Sequence, residues 1–240
     1  MKSEGLAKGG PEVTNRSTEL SEEQELGQEL QSAYAAGTLD PALTLLLDTR
    51  AALRADIRQE QVLSDAVAGE FLEREIPAPM SFQAAERALE RIDALAADAQ
   101  ASRKAAKVAS TMIDELIKLP EPLMDVALQN SVKSGWKFGG PGIRIMPLDV
   151  SPEVTAEIIR FEPGCGAPMH THSGFEYTLV VSGGFSDEEG SYGPGDLAVS
   201  GVGNHHRPVA DEDGVCIALI VRDGDLKFRG FLGVLQKVFG

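Results

Sequence analysis

Residues 164–183, GCGAPMHTHSGFEYTLVVSG, decide how the C-terminal half of this 240-residue chain is read. The chain holds only four histidines, and this stretch opens with two of them, His170 and His172, set two apart. On an extended strand, side chains at i and i+2 share a face, so two imidazoles point the same way. Glu176 follows four residues later, and Ser173-Gly174 can bend the backbone so that its carboxylate reaches the same centre. The apolar run YTLVV behind it reads as a strand. A fourth ligand must come from elsewhere, and His205 and His206 are the remaining histidines. Neighbours on an extended chain face opposite sides, so one of the two should point in and the other out. Three imidazoles and a carboxylate suit zinc, iron, manganese or nickel, and ligand type does not choose among them. Cys165, in the loop before the histidines, reads as a small packed residue rather than a ligand, with a redox-sensing thiol as the second reading.

Outward from this stretch, the chain changes period near residue 120. Beyond it, VTAEIIRF (154–161), EYTLVVS (176–182), DLAVS (196–200) and VCIALIV (215–221) are rich in β-branched residues and are separated by glycine-bearing turns. Short strands at this spacing point to an antiparallel sandwich or barrel. LPEPLMDVALQN and Trp136 form the lead-in. Glu153, Glu157 and Glu162 read as solvated strand or loop residues. Before residue 120, apolar residues recur at helical spacing: Leu43, Leu46, Leu47, Leu53 and Ile57; Val62, Leu63, Ala66, Val67 and Phe71; Phe82, Ala85, Leu89, Ile92 and Leu95. Asp40-Pro41 supplies a cap and a first-turn proline. IPAP (76–79) separates the second helix from a third, which Ser81 can cap. These stripes are expected to form the core of a helical bundle. AADAQASRKAAK (96–107) fits either linker or helix.

Composition narrows the function. Asp and Glu number 37 against 22 Lys and Arg, for a net charge of −15. Such a chain repels phosphate backbones, which argues against direct nucleic-acid binding, and favours a basic protein partner. No stretch of 18 apolar residues exists, so no transmembrane span and no membrane role are expected. The N-terminus lacks the apolar core of a signal peptide, and the expectation is a cytoplasmic protein. Two cysteines without a CxxC spacing give neither a disulfide framework nor a thiolate zinc cluster.

The pattern Gly164-x5-His170-x-His172-x3-Glu176-x6-Gly183 resembles the first motif of the cupin family. YGPGDLAVSGVGNHHRP (192–208) resembles the second, which ends in a metal-binding histidine. When the GPGD turns are laid together, the resemblance implies His206 rather than His205. It therefore implies a metal set of His170, His172, Glu176 and His206 inside a double-stranded β-helix, or jelly-roll barrel. One divalent ion is expected, zinc first, with iron, manganese and nickel open.

The helical half adds a narrower match. AYAAGTL (33–39), together with the segment HTHSGFEYTLVVSGGFSDEEGSYGPGD, is similar to ChrR-type anti-sigma factors, in which a small helical domain precedes a cupin. The resemblance implies that the helices sequester an extracytoplasmic-function sigma factor and that the cupin receives an oxidative-stress signal. One departure stands out. The family's helical domain carries its own zinc site, and its later ligands fall here on Arg50, Arg54 and Ile57, with the first near Glu25. Either packing alone holds these helices together, or sigma binding has been lost.

The expectation is an α+β multidomain protein. Residues 1–24 form a frayed N-terminus, and 25–100 a helical anti-sigma-like domain without the usual zinc ligands. Residues 101–118 are linker or helix extension, and 119–240 a cupin with a metal site. A homodimer fits the cupin sheet. The alternative function is a metal-dependent cupin dioxygenase acting on a small organic substrate, although no distinct general base stands beside the ligands, and the reading leans away from an enzyme.

Overall fold

A computed structural model of the chain describes residues 22–93 and 113–228; expectations for 1–21, 94–112 and 229–240 lie outside the described residues. The helices are α1 (Glu22–Ala35), α2 (Pro41–Leu53), α3 (Ala55–Glu73), α4 (helical residues 84–93), the short α5 (Ile113–Leu116) and α6 (Leu123–Lys133). AYAAGTL ends α1 through a left-handed glycine. Gly37 sits at φ 66°, its N–H donates to Tyr34 O at 2.9 Å, and the Thr38 N–H returns to Ala33 O at 3.0 Å. This pair of bonds satisfies carbonyls that the helix end would otherwise orphan. Asp40 then starts α2, its Oδ1 accepting from the Ala42 N–H at 2.8 Å, with Pro41 in the first turn. Its other oxygen accepts from Ser151 Oγ at 2.7 Å, so the cap also ties α2 to the loop before the third strand.

The strands are β1 (Lys137–Gly140), β2 (Ile143–Leu148), β3 (Thr155–Phe161), β4 (His170–His172), β5 (Glu176–Ser182), β6 (Phe185–Ser186), β7 (Ser191–Tyr192), β8 (Leu197–Ser200), β9 (Val209–Ala210), β10 (Cys216–Arg222) and β11 (Leu226–Phe228). A six-stranded antiparallel sheet runs β1-β2-β3-β10-β5-β8. Two small sheets, β11-β4 and β7-β6-β9, close over its other face. This is the double-sheet jelly roll expected of a cupin.

The central strands β5 and β10 are buried on both faces, which is why they read as continuous apolar runs rather than as alternation. One face builds the barrel interior from Ile143, Ile159, Phe161, Val180, Phe185, Ala218 and Ile220. The opposite face, with Leu179, Leu219 and Val221, packs against helices. Ala42, Leu45, Leu46 and Leu47 of α2 join it, as do Leu116, Leu123, Ala127 and Leu128 of α5 and α6, in one cluster. Each fully buried leucine here contributes roughly 1.5–3 kcal/mol. Helix α2 therefore belongs to the same core as the sheet. The segment read as lead-in is itself helical over Leu123–Lys133, with Leu123, Ala127 and Leu128 inside.

Of the α2 stripe, Leu46 and Leu47 are buried, in a cluster that joins the sheet to α5 and α6 rather than in a bundle of helices alone. The expectation of a bundle core fails for α3 and α4. Val62, Leu63, Val67, Phe71 and Leu72 are 51–74% exposed, and Leu89 and Ile92 of α4 about as much. Gln61, whose Nε2 donates to Leu47 O at 3.4 Å, is the buried residue of α3. Periodicity marks a face that needs cover; it does not say that the same chain supplies it. No helix among the described residues is long and apolar enough to cross a membrane.

Candidate metal centre

His170, His172, Glu176 and His206 converge inside the barrel, each 2–4% exposed. A ligand atom from each lies within 4.8 Å of the others. Strand β4 places His170 and His172 on one face, and β5 begins at Glu176. His206 is fixed by its backbone. Its N–H donates to His170 O at 3.2 Å, and the His170 N–H returns to His206 O at 3.1 Å. His205, its neighbour, is exposed. Cys165 lies outside the cluster, packed where a Cβ on Gly142 would stand 2.3 Å from its sulfur.

The surrounding groups orient the imidazoles. His170 Nδ1 lies 2.8 Å from Pro168 O, and His206 Nδ1 lies 3.3 Å from Asp187 Oδ2 and 3.4 Å from Ser200 Oγ. Each acceptor favours the tautomer with the proton on Nδ1, leaving Nε2 as a lone pair aimed into the barrel. Those two Nε2 atoms are 3.0 Å apart, and His172 Nε2 is 2.9 Å from His206 Nε2. His172 Nδ1 is buried without a hydrogen-bond partner among the described residues, 3.7 Å from Glu176 Oε2. Facing lone pairs and a buried orphan nitrogen cost free energy unless a cation sits among them. The donor set thus fits a divalent metal ion.

Protonation points the same way. Burial, reinforced by His170 and His206, pushes the His172 pKa down to about 3, and burial also lowers that of His170. Both rings are neutral near pH 7, the form that binds metal. Burial raises the Glu176 carboxyl, partly offset by His206 and Arg222. A bound cation would restore its ionised form.

Three groups escaped the sequence reading. Asp187 lies in the segment that carries the family resemblance but drew no role there. Glu157, read as solvated, is 8% exposed and accepts from Arg222 Nη1 at 2.5 Å. On β3 it pairs with Ile220 and meets Arg222 diagonally across β10. The pair lines a cavity of about 110 Å³ that His170, Glu176 and His206 share with Ile159, Phe161 and Ile220. Strand alternation could put Glu157 on the inner face, but nothing local announces a partner 65 residues away. Glu153 and Glu162 are exposed, as expected.

The helical positions given to zinc by the resemblance hold no metal cluster among the described residues. Arg50 and Arg54 instead bond to the turn at 193–196.

Residues 125–224 match the family described as the ChrR cupin-like domain. The anti-sigma-E factor ChrR of Cereibacter sphaeroides is 31% identical over 210 residues, which cover 88% of this chain and 94% of that protein. The crystal structure of Rhodobacter sphaeroides SigE in complex with the anti-sigma ChrR contains a similar chain: TM-score 0.61, 29% identity, 81% of this chain and 96% of that one.

Proposed function

The chain belongs to the ChrR family of anti-sigma factors, and from that premise we propose that it sequesters an extracytoplasmic-function sigma factor in the cytoplasm and releases it when the cupin receives an oxidative-stress signal. The likeness to an anti-sigma factor runs through both halves of the chain, which favours regulation over the oxygenase alternative.

One structural observation carries the binding role. Between α1 and α3 lies an open groove of about 980 Å³ lined by Ala35, Leu63, Val67, Phe71 and Leu72 together with Asp65 and Glu75. Val67, Phe71 and Leu72, each more than half exposed on this face, make it a candidate interaction surface. A chain of net charge −15, with Asp65 and Glu75 in the groove, suits a partner whose surfaces for DNA are basic. In the cupin, His170, His172, Glu176 and His206 would hold one divalent ion, zinc by preference. That ion would supply a fixed positive charge that holds the four ligands in one geometry. Pro168 and Asp187 orient two of the imidazoles. The apolar wall of Ile159, Phe161 and Ile220 limits water and admits only a small signal molecule.

The test is co-expression of the full chain with an extracytoplasmic-function sigma factor, followed by co-purification and sigma-dependent transcription. The full chain is required, because α2 is built into the cupin core. Wild type should co-purify with the sigma factor and silence transcription. Phe71→Asp should lose both while its metal content, read by mass spectrometry, stays at one ion per chain. A full-length chain that leaves transcription unchanged sinks the reading.

A further inference from the structure

Helices α2 and α3 are joined by a single residue, Arg54, held in extended conformation at φ −121° and ψ 112°. Arg54 is thus the joint from which α3, with the apolar face it carries, leaves α2. Its guanidinium grips both sides of that joint. Nε and Nη2 donate to Asp56 Oδ1 and Oδ2 at 3.0 and 2.8 Å, in the first turn of α3. Nη1 donates to Asp196 Oδ1 at 3.2 Å, in the cupin turn that precedes β8. One helical turn earlier, Arg50 Nε donates to Gly195 O at 3.3 Å.

Hydrogen bonds hold the turn that receives them. Asp196 Oδ2 accepts from the Gly193 N–H at 2.9 Å, the Gly195 N–H donates to Val180 O at 2.8 Å, and the Val180 N–H donates to Asp196 O at 3.1 Å. Gly195 stands at φ 87°, and a Cβ there would lie 2.6 Å from Arg54 Cγ and 2.8 Å from its Cδ. The arginine's methylenes thus lie directly on the glycine backbone, a contact that any side chain at 195 would prevent.

We propose that Arg54, seconded by Arg50, is a positioning residue that clamps the α2–α3 hinge to the 193–196 turn and so sets the angle at which α3 presents its apolar face. The clamp also has a line to the metal centre. Strand β8 starts one residue after Asp196. It carries Ala198 in the wall of the barrel cavity and ends at Ser200, whose hydroxyl is 3.4 Å from His206 Nδ1. A displacement of His206 and a displacement of the hinge are thereby the two ends of one four-residue strand. The consequence for a sigma factor rests on the function proposed above; the clamp itself does not.

Both side chains of the Arg54–Asp196 pair are partly exposed, at 38% and 46%, and such pairs add little to global stability. The expected effect is local. Hydrogen exchange of the full-length, metal-loaded chain, with no sigma factor present, reads it by mass spectrometry over the peptides spanning 50–60. Arg54→Met keeps the methylenes against Gly195 and removes the donors. Asp196→Asn keeps an acceptor for the Gly193 N–H and removes the charge. Each should speed exchange of the amides at 58–60, the first to bond back along the chain in α3, about fivefold, a factor at the top of the range for an exposed pair. The double variant should be no faster than Arg54→Met alone, because that variant already removes the contact to Asp196. Unchanged exchange in the singles, or additive effects in the double, overturns the clamp. Loss of sigma binding is read separately by co-purification, so the two proposals fail independently.

Discussion

Leu46→Ala measures how firmly α2 is built into the core of the sheet. Leu46 is fully buried, in the cluster shared by α2, α5, α6 and the outer face of β5 and β10. Truncation removes most of an apolar side chain from a site that the sheet prevents from collapsing, at a cost of about 2–5 kcal/mol. For a cooperative unit of this size each kcal/mol moves the midpoint by roughly 2–4 °C, so a central loss of about 3 kcal/mol lowers it by roughly 6–12 °C. The assay follows thermal unfolding by two signals. Far-ultraviolet circular dichroism reports the helices. The fluorescence of Trp136, the chain's one tryptophan, reports the sheet side, because Trp136 packs against the same cluster. Both transitions should coincide in the wild type and fall together in the variant. Leu63→Ala, on the exposed face of α3, should move neither by more than the equivalent of about 0.5 kcal/mol. A helical transition that falls alone, with the tryptophan transition unmoved, refutes the shared core.

Three further outcomes follow from the centre and its surroundings. Asp187→Asn weakens the acceptor on His206 Nδ1 and should lower metal affinity about 10–100-fold, measured by competition with a chromogenic chelator. Glu157→Ala leaves Arg222 without its partner in the barrel and should cost about 3–5 kcal/mol in denaturant unfolding, with much of it recovered when Arg222→Met is added. In metal-free protein, His172 titrates at about 3 when folded against 6.5 for its ordinary value, so between those limits the unfolded chain binds a proton that the folded chain refuses. Stability from this group is complete above the ordinary value and is lost as pH falls, while the raised Glu176 carboxyl works in the opposite sense. His172→Gln should therefore flatten the fall in the melting midpoint of metal-free protein between about pH 7 and about pH 5, and an equal slope in variant and wild type would contradict the assignment.

What the sequence made legible follows from the range over which each pattern acts. His170, His172 and Glu176 lie within one short stretch, and period-two alternation is enough to bring the two imidazoles to one face. His206 needed the aligned turn, because alternation only says that one of His205 and His206 faces inward; the reciprocal backbone bonds to His170 are what place His206 inside. The Glu157–Arg222 pair was illegible, since it depends on the register of β3 against β10. The stripes of α2 and α3 were equally apolar to the eye, yet one is covered by the sheet and the other by nothing in the described chain. That difference has a functional reading. A helix whose apolar face is packed on the outer face of the sheet cannot also offer it to a partner, so α2 is the anchor and α3 the surface on offer. The residue between them must then decide how that surface is held. Arginines at 50 and 54, where the family resemblance would have put zinc ligands, replace a metal link within the helices by hydrogen bonds from the helices to the cupin. A zinc site inside the helical half would stabilise that half whatever the cupin did, whereas contacts to the 193–196 turn make the seating of α3 depend on the cupin's own state.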